Sequence, residues 1–261
     1  MRKFIPTPSS STLELGFFTF HFYALTILLG IVVAIWLTKR RYSALGGDAN
    51  EITDLAFVVV PAGIIGGRIY HVITSPQKYF GENGSPIQAL QIWRGGLGIW
   101  GAISIGALAA FAFFKAKPRS LTFYQLADAI APSLLIAQGI GRFGNWFNAE
   151  LFGKPTTLIW GLEIPPENRP IGFENFSTFH PTFLYESIGC LLIAVVLVLI
   201  DRRVKLRPGL LFFVYTAMYT FMRFFIEGLR VDPATEAGGL RLNQWTSIVV
   251  FSVSVLILVV Y

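Results

Sequence analysis

Seven apolar runs, each about long enough to cross a bilayer as a helix, dominate this 261-residue sequence. A helix needs about 20 mostly apolar residues to span the hydrocarbon core of a membrane. Only 14% of the residues are charged, whereas soluble domains carry about 25%. The sequence therefore predicts an all-α polytopic membrane protein with about seven transmembrane helices. The predicted spans are 17–38, 54–73, 96–114, 122–140, 182–200, 209–227 and 244–261.

Three short loops predict the orientation of these spans. The loops "TKRRYSALGGDAN", "KAKPRS" and "DRRVKLRPG" hold ten of the 21 basic residues, and short Lys/Arg-rich loops stay in the cytoplasm. The N-terminus is then outside and the C-terminus inside. The insert 141–181 is too polar to span and predicts a small extracytoplasmic head within one membrane domain, 1–261. The net charge of +6 is spread over short clusters, so no nucleic-acid partner is expected.

The segment "YTFMRFFIEGLR" places four polar residues on one helical stripe. Tyr219, Arg223, Glu227 and Arg230 are spaced by four, four and three residues, which brings them to one helix face. Charges within a span are costly, so the stripe is expected to face the bundle interior or a wet cavity. The alternative is an Arg223–Glu227 pair that only neutralises itself.

The stretch "GIGRFGNWFNAELFGKPT" supplies a second arginine at the outer end of the fourth span. Arg142 is followed by Asn145, Asn148 and Glu150, and the glycines between them let the backbone approach a ligand closely. Two guanidinium groups at headgroup level favour a phosphate, whose oxygens match their planar forks. The alternative is an Arg142 side chain that only reaches for the membrane surface.

The segment "GRFGNWFNAELFG" resembles the signature of the prolipoprotein diacylglyceryl transferase family, Gly-Arg-x-Gly-Asn-(aromatic)-x-Asn-x-Glu-x-x-Gly. Further family segments follow in order over nearly the whole chain: "HFYAL", "GGRIYHV", "WRGGLGIWG", "HPTFLYE", "YTFMRFFIEGLR" and "NQWTS". The resemblance implies seven spans in the bacterial inner membrane, an outside N-terminus and a site on the extracytoplasmic side.

The resemblance also implies an activity. Members of the family transfer the diacylglyceryl group of phosphatidylglycerol to the lipobox cysteine of a preprolipoprotein, which forms a thioether and releases glycerol phosphate. The implied partners are phosphatidylglycerol, lipobox-containing preprolipoproteins and membrane lipid, with no metal or soluble cofactor. Two alternatives stay open from the residues alone: a transporter or flippase for an anionic lipid or solute, and a non-catalytic assembly factor.

By resemblance, Arg142, Arg223 and Glu227 are the expected catalytic residues. The expected substrate-binding residues are Tyr23, Arg68, Asn145, Asn148, Glu150, Gly153, Tyr219 and Arg230. The chain departs from the family at one place: better-known members have "FHGG", with a His proposed as a base, and this chain has "GIWGA" with Trp100. Trp cannot accept a proton at neutral pH, so another group must serve or no base is needed there.

Other features are expected to be mainly structural. Cys190 lies in an apolar run and is expected to pack, and the GxxxG pair Gly63 and Gly67 predicts close helix packing. His71 and His180 are weaker candidates for a base, because His titrates near neutral pH.

Overall fold

The computed structural model describes residues 4–16, 18–82, 84–92 and 95–261. Trp93 and Arg94, which begin the segment "WRGGLGIWG", lie outside the described residues. The chain forms two compact units. Residues 39–126 make the smaller unit, and Met1–Thr38 together with Ala127–Tyr261 make the larger one.

Eight α-helices lie in the described part of the chain, and seven of them are long. They are α1 (Phe22–Ala44), α2 (Ala49–Thr74), the short α3 (Gln77–Phe80), α4 (Ile99–Ala116), α5 (Phe123–Phe147), α6 (Thr182–Arg203), α7 (Leu210–Leu229) and α8 (Leu242–Val260). Each long helix coincides with one predicted span, so the predicted all-α polytopic class is confirmed.

Six of the described helices are long and apolar enough to cross a membrane, judged by length and composition: α1, α2, α4, α6, α7 and α8. The helix at the fourth predicted span, α5, is not among them. It carries Asp128, Gln138 and Arg142, and each of these side chains has a polar contact within the protein. The buried Oε1 of Gln138 has no hydrogen-bond partner among the described residues. Asp128 accepts hydrogen bonds from the backbone N–H groups of Gly209 and Phe212. A helix surrounded by other helices can keep polar residues that a lipid-facing helix cannot.

Glycines set the packing of α2 against α4 in the smaller unit. A Cβ added to Gly66 would lie 2.4 Å from the carbonyl oxygen of Gly101. The Gly98 N–H donates to the Gly67 carbonyl at 2.8 Å, so the two backbones touch here. The close packing predicted for Gly63 and Gly67 is confirmed, since Gly63 also approaches α4.

The core of the larger unit lies where α5, α6 and α7 meet. Leu135, Cys190, Leu197 and Leu211 are almost completely buried there, which confirms the packing role expected for Cys190. Helix α8 packs along α7. Helices α5, α6 and α8 therefore all pack against α7, the helix with the polar stripe.

The N-terminal residues form a hairpin of β1 (Thr12–Leu15) and β2 (Phe18–His21) that leads directly into α1. The register pairs Leu13 with Phe20 and Leu15 with Phe18. Directly opposed residues share a face and neighbouring residues alternate, so the four apolar side chains lie on one face, and all four are exposed.

The insert predicted at 141–181 begins as helix. Helix α5 continues to Phe147, so Arg142 lies inside α5, and only the residues after Phe147 form irregular structure. They include β3 (Leu162–Glu163) paired with β4 (Thr178–Phe179), and their own apolar core contains Phe152, Ile164 and Phe179. A third hairpin, β5 (Glu236–Ala237) with β6 (Leu240–Arg241), connects α7 to α8.

Candidate functional site

Two arginines from different helices converge on one buried carboxylate, Glu186. Glu186 lies four residues after the start of α6 and is 2% exposed. Arg142 Nη2 on α5 lies 2.8 Å from Glu186 Oε1, and Arg223 Nη1 on α7 lies 2.7 Å from Oε2. The Tyr219 hydroxyl donates to Oε1 at 2.9 Å. The carboxylate therefore fixes both guanidinium groups, as expected for a charge buried with several donors.

A second carboxylate, Glu227, continues the network along α7. It is completely buried, and each of its oxygens accepts two hydrogen bonds. Oε2 accepts from Arg223 Nη2 at 2.6 Å and Arg230 Nη1 at 3.1 Å. Oε1 accepts from Arg241 Nε at 2.9 Å and Asn243 Nδ2 at 3.2 Å. The predicted stripe is thus one connected network and more than a self-neutralising pair.

Asp232 closes the network beyond the end of α7. Arg230 binds it with both Nε and Nη2, at 2.7 and 2.8 Å, and Arg241 Nη2 binds it at 2.9 Å. Burial alone would raise the pKa of Asp232, but its hydrogen bonds and ion pairs with the two arginines hold the pKa below its usual value. Asp232 therefore stays ionised at neutral pH.

A small cleft lies over these charges, with about 200 Å³ of empty space, part of it open to the surroundings. Its polar lining is Arg142, Asn145, Thr182, Glu186, Arg223 and Arg230. Among the described residues, the ion-paired network contains four arginines and three carboxylates, so it carries one excess positive charge. Because guanidinium groups dominate this lining, the cleft offers donors to a small anionic group such as a phosphate.

Glu150 is held in a strained turn beside the cleft. Its Oε1 accepts from Asn145 Nδ2 at 2.8 Å and from Asn148 Nδ2 at 3.3 Å. The flanking residues Ala149 and Leu151 have φ values of 50° and 57°, in the left-handed region that non-glycine residues rarely adopt. Such conformations concentrate at functional sites. The three polar residues of the "GRFGNWFNAELFG" segment thus form one unit at the end of α5.

Gly153 joins this segment to the end of α7. It forms an antiparallel bridge with Arg230, and its N–H donates to the His180 carbonyl at 2.9 Å. An added Cβ would lie 2.8 Å from His180 Cβ, so only glycine fits. His180 Nδ1 lies 3.0 Å from the Tyr185 hydroxyl, and burial lowers the pKa of His180 below its usual value. A neutral imidazole held by a neighbour agrees with a structural histidine.

Tyr23 lies at the start of α1 against α5. A Cβ on Gly144 would lie 2.6 Å from Tyr23 Cδ2, and one on Gly141 would lie 3.2 Å from Ile27 Cδ1. The glycines that were expected to admit a ligand therefore admit helix α1. This close packing places Tyr23 beside the segment that carries Arg142.

Arg68 lies in the smaller unit and binds backbone carbonyl groups. Nε donates to Ala89 O at 2.8 Å, and Nη1 donates to Gly95 O at 2.5 Å and Gly96 O at 2.9 Å. The guanidinium also lies 5.2 Å from the centre of the Tyr79 ring. These contacts fix the connection between α2 and α4, so the structure gives Arg68 a loop-holding role. The substrate contact expected for Arg68 stays a prediction.

Trp100 and His71 also belong to the smaller unit. Trp100 is the second residue of α4, and its side chain is exposed. His71 contacts the Tyr79 ring edge-on, with ring centres 6.0 Å apart. Neither residue belongs to the ion-paired network described above.

The sequence reasoning gave no role to Glu186, Asp232 or Arg241. A signal for Glu186 was present, because a lone carboxylate near the start of an apolar span is costly and marks a functional residue. Asp232 and Arg241 lie in a short polar connection between two spans, where charged residues are ordinary. Their pairing becomes visible only when β5 and β6 bring the two ends together.

Comparison with known proteins agrees with the family resemblance seen in the sequence. The family model for prolipoprotein diacylglyceryl transferase matches residues 10–260. Among similar curated proteins is the phosphatidylglycerol–prolipoprotein diacylglyceryl transferase of Cutibacterium acnes, 52% identical over 98% of this chain and 86% of the relative. A protein of the same name, numbered 2, in Streptomyces coelicolor is 48% identical over 98% of this chain and 80% of the relative. The Corynebacterium glutamicum enzyme of this name is 48% identical over 97% of this chain and 83% of its own length.

Proposed function

Because the chain belongs to the prolipoprotein diacylglyceryl transferase family, we propose that it transfers the diacylglyceryl group of phosphatidylglycerol to the lipobox cysteine of preprolipoproteins. The main structural observation in support of this proposal is that Arg142 and Arg223 both bind Glu186 in a small charged cleft. The transporter alternative has no observation in its favour.

The reaction needs a site that stabilises a departing phosphate. The cysteine sulfur forms a bond to the terminal glycerol carbon, and the bond from that carbon to the phosphate oxygen breaks. The electron pair leaves on glycerol phosphate, and the thiol proton is released. Arg142 and Arg223 stabilise the negative charge that develops on the phosphate. They also hold the headgroup in line for attack, which lowers the barrier by positioning alone.

The charge of the ion-paired network, counted without the neighbouring Glu150, is opposite to that of the proposed substrate. Phosphatidylglycerol has one negative charge on its phosphodiester, and the ion-paired network has one excess positive charge among the described residues. Asn145 lines the same cleft, and one N–H of its amide donates to Glu150. The second N–H of this amide is the donor proposed to orient the lipid headgroup. Glu227 and Tyr219 act by fixing Arg223 and Glu186.

The cysteine thiol must lose a proton before it attacks. Nearby arginines lower the pKa of a cysteine because they favour the thiolate. The two arginines of the cleft, Arg142 and Arg223, are the groups proposed to provide this effect without a histidine at position 100. The site is proposed to face the extracytoplasmic side of the bacterial inner membrane, with residues 141–181 forming the head on that side. The basic-loop asymmetry supports this orientation.

The experiment that tests the function uses the purified full chain, phosphatidylglycerol and a synthetic lipobox peptide. Mass spectrometry should show a peptide heavier by one diacylglyceryl group, together with one glycerol phosphate released for each modified peptide. A lipobox peptide with serine in place of cysteine, and micelles with phosphatidylcholine in place of phosphatidylglycerol, are the controls. A peptide that stays unmodified under all conditions would exclude the transferase and leave the transporter and the non-catalytic assembly factor.

A further inference from the structure

Arg241 lies outside the cleft but binds the same carboxylates as the cleft arginines. It directly precedes α8 and is 7% exposed. Its Nε donates to Glu227 Oε1 at 2.9 Å, and its Nη2 donates to Asp232 Oδ2 at 2.9 Å. Its Nη1 donates to the backbone carbonyl of Arg230 at 3.1 Å. One side chain thus connects the end of α7, the following loop and the start of α8.

Glu227 and Asp232 each bind Arg241 and also bind at least one arginine that lines the cleft. Arg230 contacts Glu227 at 3.1 Å and Asp232 at 2.7 Å from the cleft side, and Arg223 contacts Glu227 at 2.6 Å. Without Arg241, Arg223 and Arg230 alone would balance both negative charges. The positive charge of the cleft would then be cancelled by the protein and no longer available to an anionic ligand.

We propose that Arg241 is a positioning residue that gives the cleft its excess positive charge and so sets its affinity for a phosphodiester headgroup. The inference rests on the proposed function, because it names how that site selects an anionic lipid. Arg241 suits the role because its guanidinium is always charged and its planar fork meets several acceptors at once. Arg241 does not line the cleft, so it acts on the bound headgroup through Glu227 and Asp232.

The first test is to remove the charge with Arg241→Met. The Kd for phosphatidylglycerol in mixed micelles should rise about tenfold, the scale expected when one charge near a partly buried site is lost. The KM for phosphatidylglycerol should rise by the same factor while kcat changes little, because a remote charge affects bound substrate and transition state about equally.

The decisive test is to restore the charge balance by a second substitution. Asp232→Asn in the Arg241→Met protein removes one negative charge, so the network again has one excess positive charge. This double variant should regain a Kd within about threefold of the wild type, and Asp232→Asn alone should bind phosphatidylglycerol more tightly than the wild type. Asp232→Asn alone breaks the ion pairs of Asp232 with Arg230 and Arg241, so tighter binding by this single variant is not expected if Arg241 only stabilises the fold.

The matched control is Arg169→Met. Arg169 is a half-buried arginine that donates to the backbone carbonyls of Ile164 and Glu174, away from the ion-paired network. Its loss should leave the Kd for phosphatidylglycerol unchanged. Arg241→Lys keeps the charge and should stay within about threefold of the wild-type Kd, since the effect depends on charge. Thermal midpoints in detergent report folding for every variant.

An unchanged Kd in folded Arg241→Met, or no recovery on adding Asp232→Asn, would overturn the proposal. If Arg241→Met does not fold, Asp232→Asn alone decides, because an unchanged Kd there contradicts the charge argument. Binding is measured apart from turnover, so a wild type that binds phosphatidylglycerol without forming thioether would count against the proposed function and not against Arg241.

Discussion

At the residue scale, the site depends on carboxylates that arginines share. Glu186 accepts from Arg142 at 2.8 Å and from Arg223 at 2.7 Å, so the two guanidinium groups stay close in spite of their like charges. The buried carboxylate in turn needs both arginines, because leaving a buried charge without its partner costs about 3–5 kcal/mol. A phosphate that enters the cleft therefore meets donors whose directions are already fixed.

The first prediction is that Arg142→Lys and Arg223→Lys each lower kcat/KM for thioether formation by about a hundredfold, as when one transition-state donor is removed. Lysine keeps the charge but lacks the planar fork, so it cannot bind Glu186 and the phosphate with the same geometry. Arg169→Lys, in which the changed residue binds backbone carbonyls, is the control. Near-normal turnover of both variants at saturating lipid would rule out phosphate clamping.

The second prediction concerns Trp100, which occupies the place of the family histidine. If the thiol is ionised by the arginines, Trp100→Phe should keep most of the activity and Trp100→His should gain less than about tenfold, the lower end of what a general base contributes. The measurement is turnover against pH for all three proteins with one peptide. A larger gain for Trp100→His would show that this chain lacks a base and that ionisation of the thiol by the arginines does not compensate for it.

The site residues show which parts of the site could be predicted from the sequence and which could not. The stripe of Arg223, Glu227 and Arg230 followed from helical spacing, and the structure places it as one connected set. Glu186 was missed because its partners lie on two other helices, and spacing along one helix carries no information about contacts across helices. Arg241 was missed for the same reason, since the β5–β6 hairpin brings it to Glu227.

At the element scale, glycines decide how closely helices approach. In the smaller unit the Gly66 backbone lies against the Gly101 carbonyl on α4, and a Cβ there would also meet Ile105 Cβ at 2.5 Å. In the larger unit, Gly141 and Gly144 admit α1 beside the arginine segment. The seven runs predicted the helices well, but α5 extends to Phe147 because its glycines are accommodated by helix packing and do not end the helix.

The third prediction is that Gly66→Ala destabilises the protein by about 1–3 kcal/mol, the usual cost of overpacking. The contact is with backbone and a branched side chain, and neither can move away without shifting a helix. Gly106→Ala is the matched control on α4, because its nearest neighbour, Val59 Cγ1, lies 3.6 Å from the added atom. The thermal midpoint in the same detergent should fall for Gly66→Ala. For the control it should stay near that of the wild type, which corresponds to a change in the free energy of unfolding within about 0.5 kcal/mol. Equal midpoints would refute the close-packing account.

At the scale of the whole molecule, the usual distribution of polar and apolar residues is reversed. Apolar side chains such as Phe57 and Val259 on the long helices are more than 70% exposed, while Glu186 and Glu227 are almost completely buried. Soluble proteins rarely expose large apolar surfaces, whereas lipid covers them without cost. The charges collected inside the larger unit are then shielded from lipid, as intramembrane charges generally are.

The last prediction concerns the orientation of the helices and the charged cleft in the membrane. Single cysteines at Ser43, Lys117, Lys154 and Arg203, in a Cys190→Ser background, should be labelled by an impermeant thiol reagent in intact cells only at Lys154. All four positions are exposed on the structure, so a failure to react reports the side of the membrane and not burial, and lysed cells should show labelling at all four. The expectation follows from the three basic loops, which are predicted to stay in the cytoplasm because translocating short Lys/Arg-rich loops is unfavourable. Labelling at Ser43 without labelling at Lys154 would invert the orientation and place the arginine cleft on the cytoplasmic side, where a translocated lipobox peptide could not reach it.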